Sequence, residues 1–518
     1  MIRSFLTVST GTLASRLLGF GRDAMLAALL GTGAVADAFL MAFQGVNVVR
    51  RLLTEGALNA SLVPAWLRVR ETEGAVAAAA FAGSVLGTVS AALVVAAALI
   101  GLLMPLVMTA LAPGFAATPT LQLAVDDARL MLPYLAFAGP VTVMMALLNA
   151  QGRVALTAFS PLLFNLALIG VTAALLLRRQ DAGFAALVIA GTVGLAGLLQ
   201  LLVLVARGRA IAAPLRLAFD PQMRGFLGQA VPGMIASAGP QLLVLAGAVI
   251  ASSSPSAVSW LYFANRLIEL PLGIVGAAMG AVLVPELTRG VRANDSGAIA
   301  HGESRGLELA AGLALPATLG LIALSEPIVR LLFQHGAFTA ADTAATAQAL
   351  MWLALGLPAQ ALVKALSPAF FAREDTRTPL WATLKGFAVA IVLAVVLGHV
   401  YGASGIAAAI ALGAWSNALS LLRRGASAFG FSIDAAARRR LPRIVAAALV
   451  MGGLLWLTAA FVLPMTATAH GLVQAALLGM LIAGGMAVYA LLLALFGVTG
   501  WAEAVAAIRL SKASGLRD

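Results

Sequence analysis

Apolar residues in this chain come in long runs broken by short polar turns, with no strand-like alternation. Each run holds roughly 20 to 30 residues rich in Ala, Leu, Val, Gly and Ile, and a helix needs about 20 to cross a hydrocarbon layer about 30 Å thick. The pattern predicts fourteen spans: 5–30, 34–62, 76–110, 128–150, 155–177, 183–206, 226–252, 257–287, 305–333, 345–371, 379–400, 404–422, 442–464 and 471–497. Backbone polar groups in lipid must be satisfied within their own segment, so the expected fold is an all-α integral membrane protein. Composition agrees. Of 518 residues, 61% are hydrophobic and 10% charged, with a mean hydropathy of +1.00, whereas soluble domains carry about 25% charged residues. The first run holds Arg16, Arg22 and Asp23, unlike the clean apolar core of a cleaved leader, and is read as a retained helix.

A net charge of +12 invites a nucleic-acid reading, but the basic residues follow the spans. With the N-terminus in the cytoplasm, 22 of the 33 Lys and Arg fall in cytoplasmic segments and three (Arg129, Arg178 and Arg179) on the opposite side. This skew is the positive-inside rule, which places both termini in the cytoplasm without invoking nucleic acid. The basic 423–443 segment is also suited to anionic lipid. Cysteine is absent and the four His are far apart, so neither a disulfide framework nor a metal site is expected.

The chain repeats itself. Leu62-Val63-Pro64 followed by Arg68 recurs as Leu283-Val284-Pro285 followed by Arg289, and Leu130-Met131 leading to Arg153 recurs as Leu350-Met351 leading to Arg373. Both pairs have nearly one offset. Duplicated halves of six helices insert in the same orientation and relate by an axis along the membrane normal, as in parallel-repeat transporters, whose substrates bind between the repeats. The expected division is residues 1–223 (N-lobe), 224–430 (C-lobe) and 431–518 (two further helices and a tail).

Eight basic residues lie inside spans: Arg16, Arg22, Arg50, Arg51, Arg266, Arg330, Lys364 and Lys385. A charge in the membrane costs at least a few kcal/mol and normally faces a cavity or pairs. Arg330 and Lys385 sit near span ends, where a long side chain can snorkel. The first, second and eighth spans are denser, holding Arg16, Arg22, Asp23, Asp37, Arg50, Arg51, Glu55, Arg266 and Glu269. Internal salt bridges that only lock helices together would account for part of this. Arg16 and Arg50, however, have no acid one turn away in their own helices. Arginine at all five cavity candidates favours a ligand with phosphate oxygens, since its fork binds them in pairs and keeps its charge when desolvated. The chemistry points to a transporter or flippase of a phosphate-bearing substrate. Walker A and HExxH sequences are absent, so neither an ATP-driven engine nor a zinc hydrolase of that type is expected.

Ser15-Arg16-Leu-Leu-Gly19-Phe20-Gly21-Arg22-Asp23, Asp37-Ala-Phe and Asn47-Val-Val-Arg50-Arg51-Leu-Leu-Thr-Glu55-Gly56-Ala57 resemble the N-terminal signature of the MurJ (MviN) lipid II flippases, within the multidrug/oligosaccharidyl-lipid/polysaccharide exporter superfamily. The likeness continues through Ala112-Pro-Gly-Phe115, Leu148-Asn149-Ala150, Pro161 with Asn165, Ser259-Trp260 with Arg266, Phe333–Thr339 and Asp375-Thr-Arg377-Thr-Pro379, over nearly the whole chain. The resemblance implies two six-helix lobes around a cationic cavity, with the last two helices forming a groove for the lipid tail. It implies lipid II, the undecaprenyl-diphosphate-linked disaccharide-pentapeptide, as substrate. It also implies a bacterial inner-membrane location and no enzymatic activity. Arg16, Arg22, Arg50, Arg51 and Arg266 would handle substrate or the conformational cycle, with Asp23, Asp37, Glu55, Asn165, Gln241 and Ser259 as further positions. No cofactor is expected; coupling to the membrane potential or a monovalent ion is. The expected partners are lipid II, membrane lipids and cell-wall synthesis proteins, with the chain itself a monomer. Two departures stand out: Val46 where the family usually has Pro, and Asn265 where it often has Asp, which would leave Arg266 less neutralised by its own helix. Exporters of another polyprenyl-linked glycan, a membrane-embedded cell-wall glycosyltransferase and a regulatory partner without transport are the alternatives. The glycosyltransferase needs a catalytic carboxylate in a sizeable outer loop, and the outer loops here are short.

Overall fold

The computed structural model describes residues 2–54, 57–208, 215–218, 220–236, 239–293, 295–373, 375–429, 433–465 and 471–498; for some of these, Gln241 among them, it describes the backbone only. All regular structure among them is helical. In chain order the helices are α1 (Ile2–Leu30), α2 (Ala34–Thr54), α3 (Ala57–Thr72), α4 (Gly74–Leu102), α5 (Met104–Leu111), α6 (Pro119–Met131), α7 (Pro133–Ala150), α8 (Val154–Leu177), α9 (Ala182–Gly208), α10 (Pro221–Ala236), α11 (Gly239–Ala251), α12 (Ala257–Ala278), α13 (Val284–Arg292), α14 (Ser296–Ala323), α15 (Ser325–Phe333), α16 (Ala340–Ala354), α17 (Leu357–Phe371), α18 (Arg377–Phe429), α19 (Ala435–Met465) and α20 (Leu472–Leu495).

Several expected spans turn out to be broken helices. The break at Leu103 precedes Pro105, that at Leu132 precedes Pro133, and that at Gly356 precedes Pro358. Proline lacks an N–H and is tolerated only where that donor would be unmade, in a helix's first turn, so it restarts a helix. The expected 305–333 span likewise divides at Leu324 into α14 and α15. Conversely, the spans expected at 379–400 and 404–422 are two legs of α18, which folds at Gly402 with φ 56° and ψ −136°, a conformation glycine adopts without a Cβ penalty. Ahead of α18, Asp375 accepts the Thr378 amide proton at 2.9 Å, which holds its carboxyl below the usual carboxylate range. Among the described residues nine helical stretches are long and apolar enough to cross a membrane, with α18 counted once; α1, α2 and α12, which carry Arg16, Arg22, Arg50, Arg51 and Arg266, are not among the nine.

The chain divides into two compact units, one of Met1–Tyr262 with Phe333–Asp342, the other of Phe263–Leu332 with Thr343–Asp518. In the first, α1 packs on α8, α2 on α6, and α7 on α4 and α9. Small residues permit the close approach that lipid-embedded helices need: a Cβ on Gly194 of α9 would lie 2.7 Å from the Leu130 carbonyl oxygen. Trp66, Phe81, Leu147 and Phe226 belong to one buried apolar cluster of this unit. In the second unit α14 packs on α17 and α19, and the two legs of α18 meet at Gly386 and Gly413. Arg373 there pairs with Glu303 at 3.2 Å and lies 3.8 Å over the Phe429 ring.

Candidate functional site

The first unit draws three of the sequence-predicted polar residues into one buried network. Arg22 and Asp23 are adjacent on α1, and Asn165 faces them from α8. The Arg22 guanidinium donates to Asp23 Oδ1 from Nε at 2.9 Å and from Nη2 at 2.6 Å, and to Asn165 Oδ1 from Nη1 at 3.0 Å. Asn165 uses its amide twice, since Nδ2 donates to the Ser15 carbonyl at 3.1 Å. The Tyr262 hydroxyl, at the start of α12, donates to Asp23 Oδ1 at 3.2 Å. Phe43 and Phe164 flank the guanidinium, 5.0 and 5.9 Å from ring centroid to charge, a geometry that favours a desolvated cation. Arg22 is 7% exposed and Asp23 fully buried. One positive and one negative charge thus share a dry niche, the arrangement in which burial is tolerated.

A second carboxylate, Asp37 of α2, reaches the N-terminal turn of α12. Its Oδ1 accepts both the Ser259 backbone N–H, at 2.9 Å, and the Ser259 hydroxyl. The first N–H groups of a helix have no partner within it, and the macrodipole there favours a negative charge, so Asp37 caps α12 from another helix. Both residues are buried.

The remaining cationic candidates are more open. Arg16 is exposed and, among the described residues, makes no hydrogen bond or ion pair. Arg50 and Arg51 are half-buried; Arg50 Nε donates to Asn47 Oδ1 one turn earlier at 3.3 Å. Arg266, in the second unit, pairs with Glu269 of its own helix at 2.8 Å. With Asn265 uncharged, a carboxylate that Arg266 meets on its own helix is Glu269 at i+3. Glu55 lies outside the described residues, as does the side chain of Gln241, which stands on α11. Arg330 pairs with Glu326 one turn away.

The family model for lipid II flippase MurJ matches residues 26–477. The chain belongs to the MurJ family. It is 38% identical over 497 residues to the probable lipid II flippase MurJ of Rhizobium meliloti (strain 1021), covering 94% of this chain and 92% of that protein. Its fold is similar to a solved lipid II flippase MurJ in an inward closed conformation, with a TM-score of 0.77, 22% identity, and coverage of 95% of this chain and 98% of that one. It is also similar to an inward-facing multidrug resistance MATE family transporter of the MOP superfamily, with a TM-score of 0.65, 14% identity, and coverage of 85% and 98%. MurJ and MATE proteins thus share this helical fold.

For a MurJ-family chain, one cluster was not anticipated from sequence. Asp342 sits at the start of α16, and its Oδ1 accepts from Thr32 Oγ1 at 2.6 Å and Trp260 Nε1 at 3.2 Å. Its Oδ2 accepts from the Thr339 amide at 2.8 Å and the Thr339 hydroxyl at 2.7 Å, while the Asp342 amide donates back to Thr339 Oγ1 at 3.3 Å. The last three bonds form a capping box around α16, which Thr339-x-x-Asp342 spells in sequence. Asp342 thereby ties the Phe333–Asp342 segment to the turn between α1 and α2. The backbones touch as well: Ala337 N–H donates to the Ala28 carbonyl at 2.8 Å, and a Cβ on Gly336, whose φ is +57°, would lie 2.2 Å from that same oxygen.

Proposed function

We propose that this protein moves lipid II from the cytoplasmic to the outer leaflet of the bacterial inner membrane by alternating access. The observation that carries the reading is a set of arginines held inside helices of a chain that belongs to the MurJ flippases. Fourteen spans, with both termini in the cytoplasm, place residues 1–223 and 224–430 as two lobes around the headgroup path, with 431–518 adding two helices that groove the lipid tail. The diphosphate enters among Arg16, Arg22, Arg50, Arg51 and Arg266, with Asp23 and Asn165 fixing the Arg22 guanidinium and Asp37 and Ser259 holding α2 to α12; Glu55 and Gln241 complete the lining. Binding energy from the arginines offsets the cost of bringing an anion to the membrane midplane, and the lobes then exchange which side is open. A potential negative inside favours outward movement of an anion by about 2.3 kcal/mol per charge per 100 mV, so the potential or a monovalent ion drives the cycle without a cofactor. The protein works as a monomer beside cell-wall synthesis proteins and performs no chemistry on its substrate.

The test is genetic. Cells depleted of their own lipid II flippase resume growth when they receive this chain, whereas Arg16→Gln, which removes an exposed charge that makes no bond among the described residues, lowers rescue with unchanged protein level and melting temperature. A charge-assisted contact is worth about 1.5–3 kcal/mol, so lipid II affinity falls by roughly 10- to 100-fold in the variant. Failure of the unaltered chain to rescue, despite correct membrane insertion, would contradict the assignment. Full rescue by Arg16→Gln would remove Arg16 from the substrate path.

A further inference from the structure

Lys385 is an in-span cation that the transport chemistry above does not use. It lies on the first leg of α18, and Lys385, Val389 and Leu393 recur every four residues, so they form one stripe of that leg. On the second leg Leu412, Ser416 and Ser420 form the matching stripe, with Arg423 at its end. The stripes run side by side because Gly386, next to Lys385, lets the legs close: a Cβ there would lie 2.7 Å from the Gly413 carbonyl oxygen. Between them is a groove of about 320 Å³. One of its walls, Trp415, is fixed by its indole N–H donating to the Leu355 carbonyl at 2.9 Å.

The groove is graded from end to end. Lys385 and Arg423 are both exposed and, among the described residues, neither makes a hydrogen bond or ion pair. Next come the two serines, and beyond them the walls are apolar. The outer surface of the first leg, with Val392, Val395 and Val396 exposed, faces hydrocarbon, so an occupant arrives through the bilayer. Two cations, then hydroxyls, then an aliphatic furrow complement a phosphate with an acyl chain attached. The volume accepts a chain and a headgroup phosphate but is at the small end for ligand pockets and does not accommodate a disaccharide-pentapeptide. Lys385 and Arg423 line one groove, and a lysine stem is long enough to carry its ammonium toward the end of a span.

We propose that the α18 hairpin binds an anionic phospholipid, with the phosphate between Lys385 and Arg423 and one acyl chain along Val389, Leu393 and Leu412. By the positive-inside orientation the lipid belongs to the cytoplasmic leaflet.

The experiment uses the full-length protein in phosphatidylcholine nanodiscs containing graded phosphatidylglycerol, with retained lipid counted by native mass spectrometry. A cation near the membrane surface contributes about fivefold to anionic-lipid affinity. Retention of phosphatidylglycerol therefore falls about fivefold in Lys385→Gln and about 25-fold in the double variant with Arg423→Gln. Phosphatidylcholine retention stays unchanged, and Arg438→Gln with Arg439→Gln, exposed residues outside the groove lining, loses much less phosphatidylglycerol than the groove double variant. The charge-preserving pair Lys385→Arg and Arg423→Lys keeps the lipid. Equal retention by the Gln double variant overturns the proposal, as does an equal loss in the Arg438 and Arg439 control. Stoichiometric displacement of phosphatidylglycerol by a polyprenyl diphosphate would reassign the groove to the substrate. Because the readout is bound lipid and not transport, it stands apart from the flippase reading.

Discussion

Arg22→Ala abolishes lipid II transport and destabilises the protein, whereas Arg22→Leu combined with Asp23→Leu restores the fold without restoring transport. The reason lies in the burial of the pair. Asp23 is fully buried, and Arg22 supplies it with two hydrogen bonds at 2.9 and 2.6 Å. Removing one partner of a buried ion pair costs about 3–5 kcal/mol because the other charge is left uncompensated, while replacing both with apolar groups of similar size is often neutral or stabilising. The single variant also frees the Asn165 carbonyl oxygen, which accepts from Arg22 at 3.0 Å. Thermal melts of purified protein, read beside transport, separate the two roles. Arg22→Ala should melt lower and the double variant near the unaltered protein, with both inactive. A double variant that transports normally would mean that the pair only locks α1 to α8; a single variant that melts normally would mean that the network does not hold the fold.

Asp342→Ala releases the Phe333–Asp342 segment from the first unit. The carboxylate accepts four hydrogen bonds, from Thr32, Trp260 and twice from Thr339. A bond to a charged group contributes about 1.5–3 kcal/mol, and the bonds share one acceptor residue and do not add fully. A loss of about 3 kcal/mol or more in the docking of this segment is expected, equivalent to a rise of at least about 100-fold in its opening equilibrium. Amide hydrogen exchange at Ala337 measures it, because that N–H bonds to the Ala28 carbonyl only while the segment is docked. Asp342→Asn keeps the shape but loses the charge and lies between the two. Exchange at Ala337 that is unchanged in Asp342→Ala would show that the backbone contact and the tight fit of Gly336 suffice alone.

Much of this architecture is legible in the sequence, because a membrane chain must satisfy its backbone within helices. The polar candidates were legible for the same reason: an arginine or aspartate inside an apolar run needs a cause. Arg22 with Asp23 and Asn165, and Asp37 with Ser259, come together as residues of unlike helices, although periodicity could not say which would meet. Helix breaks were harder. The apolar run from 76 to 110 carries no charged residue, and only Pro105 marks where α4 gives way to α5. At Gly402 the opposite occurs, since what reads as a turn between spans is a sharp fold in helical chain. Asp342 carries no such signal, because a capping residue at a helix start looks ordinary; its further bonds to Thr32 and Trp260 span 310 and 82 residues. The pairing of Arg266 with Glu269 is legible as an i+3 spacing on one helix.

The most direct test is to measure lipid II reaching the outer leaflet in cells where this chain is the sole flippase, with and without collapse of the membrane potential. Transport of lipid II predicts that outer-leaflet lipid II appears with the unaltered protein, falls when the potential is lost, and is absent with Arg22→Ala. Outer-leaflet lipid II that stays at the level of flippase-depleted cells, with the protein correctly inserted, would contradict it.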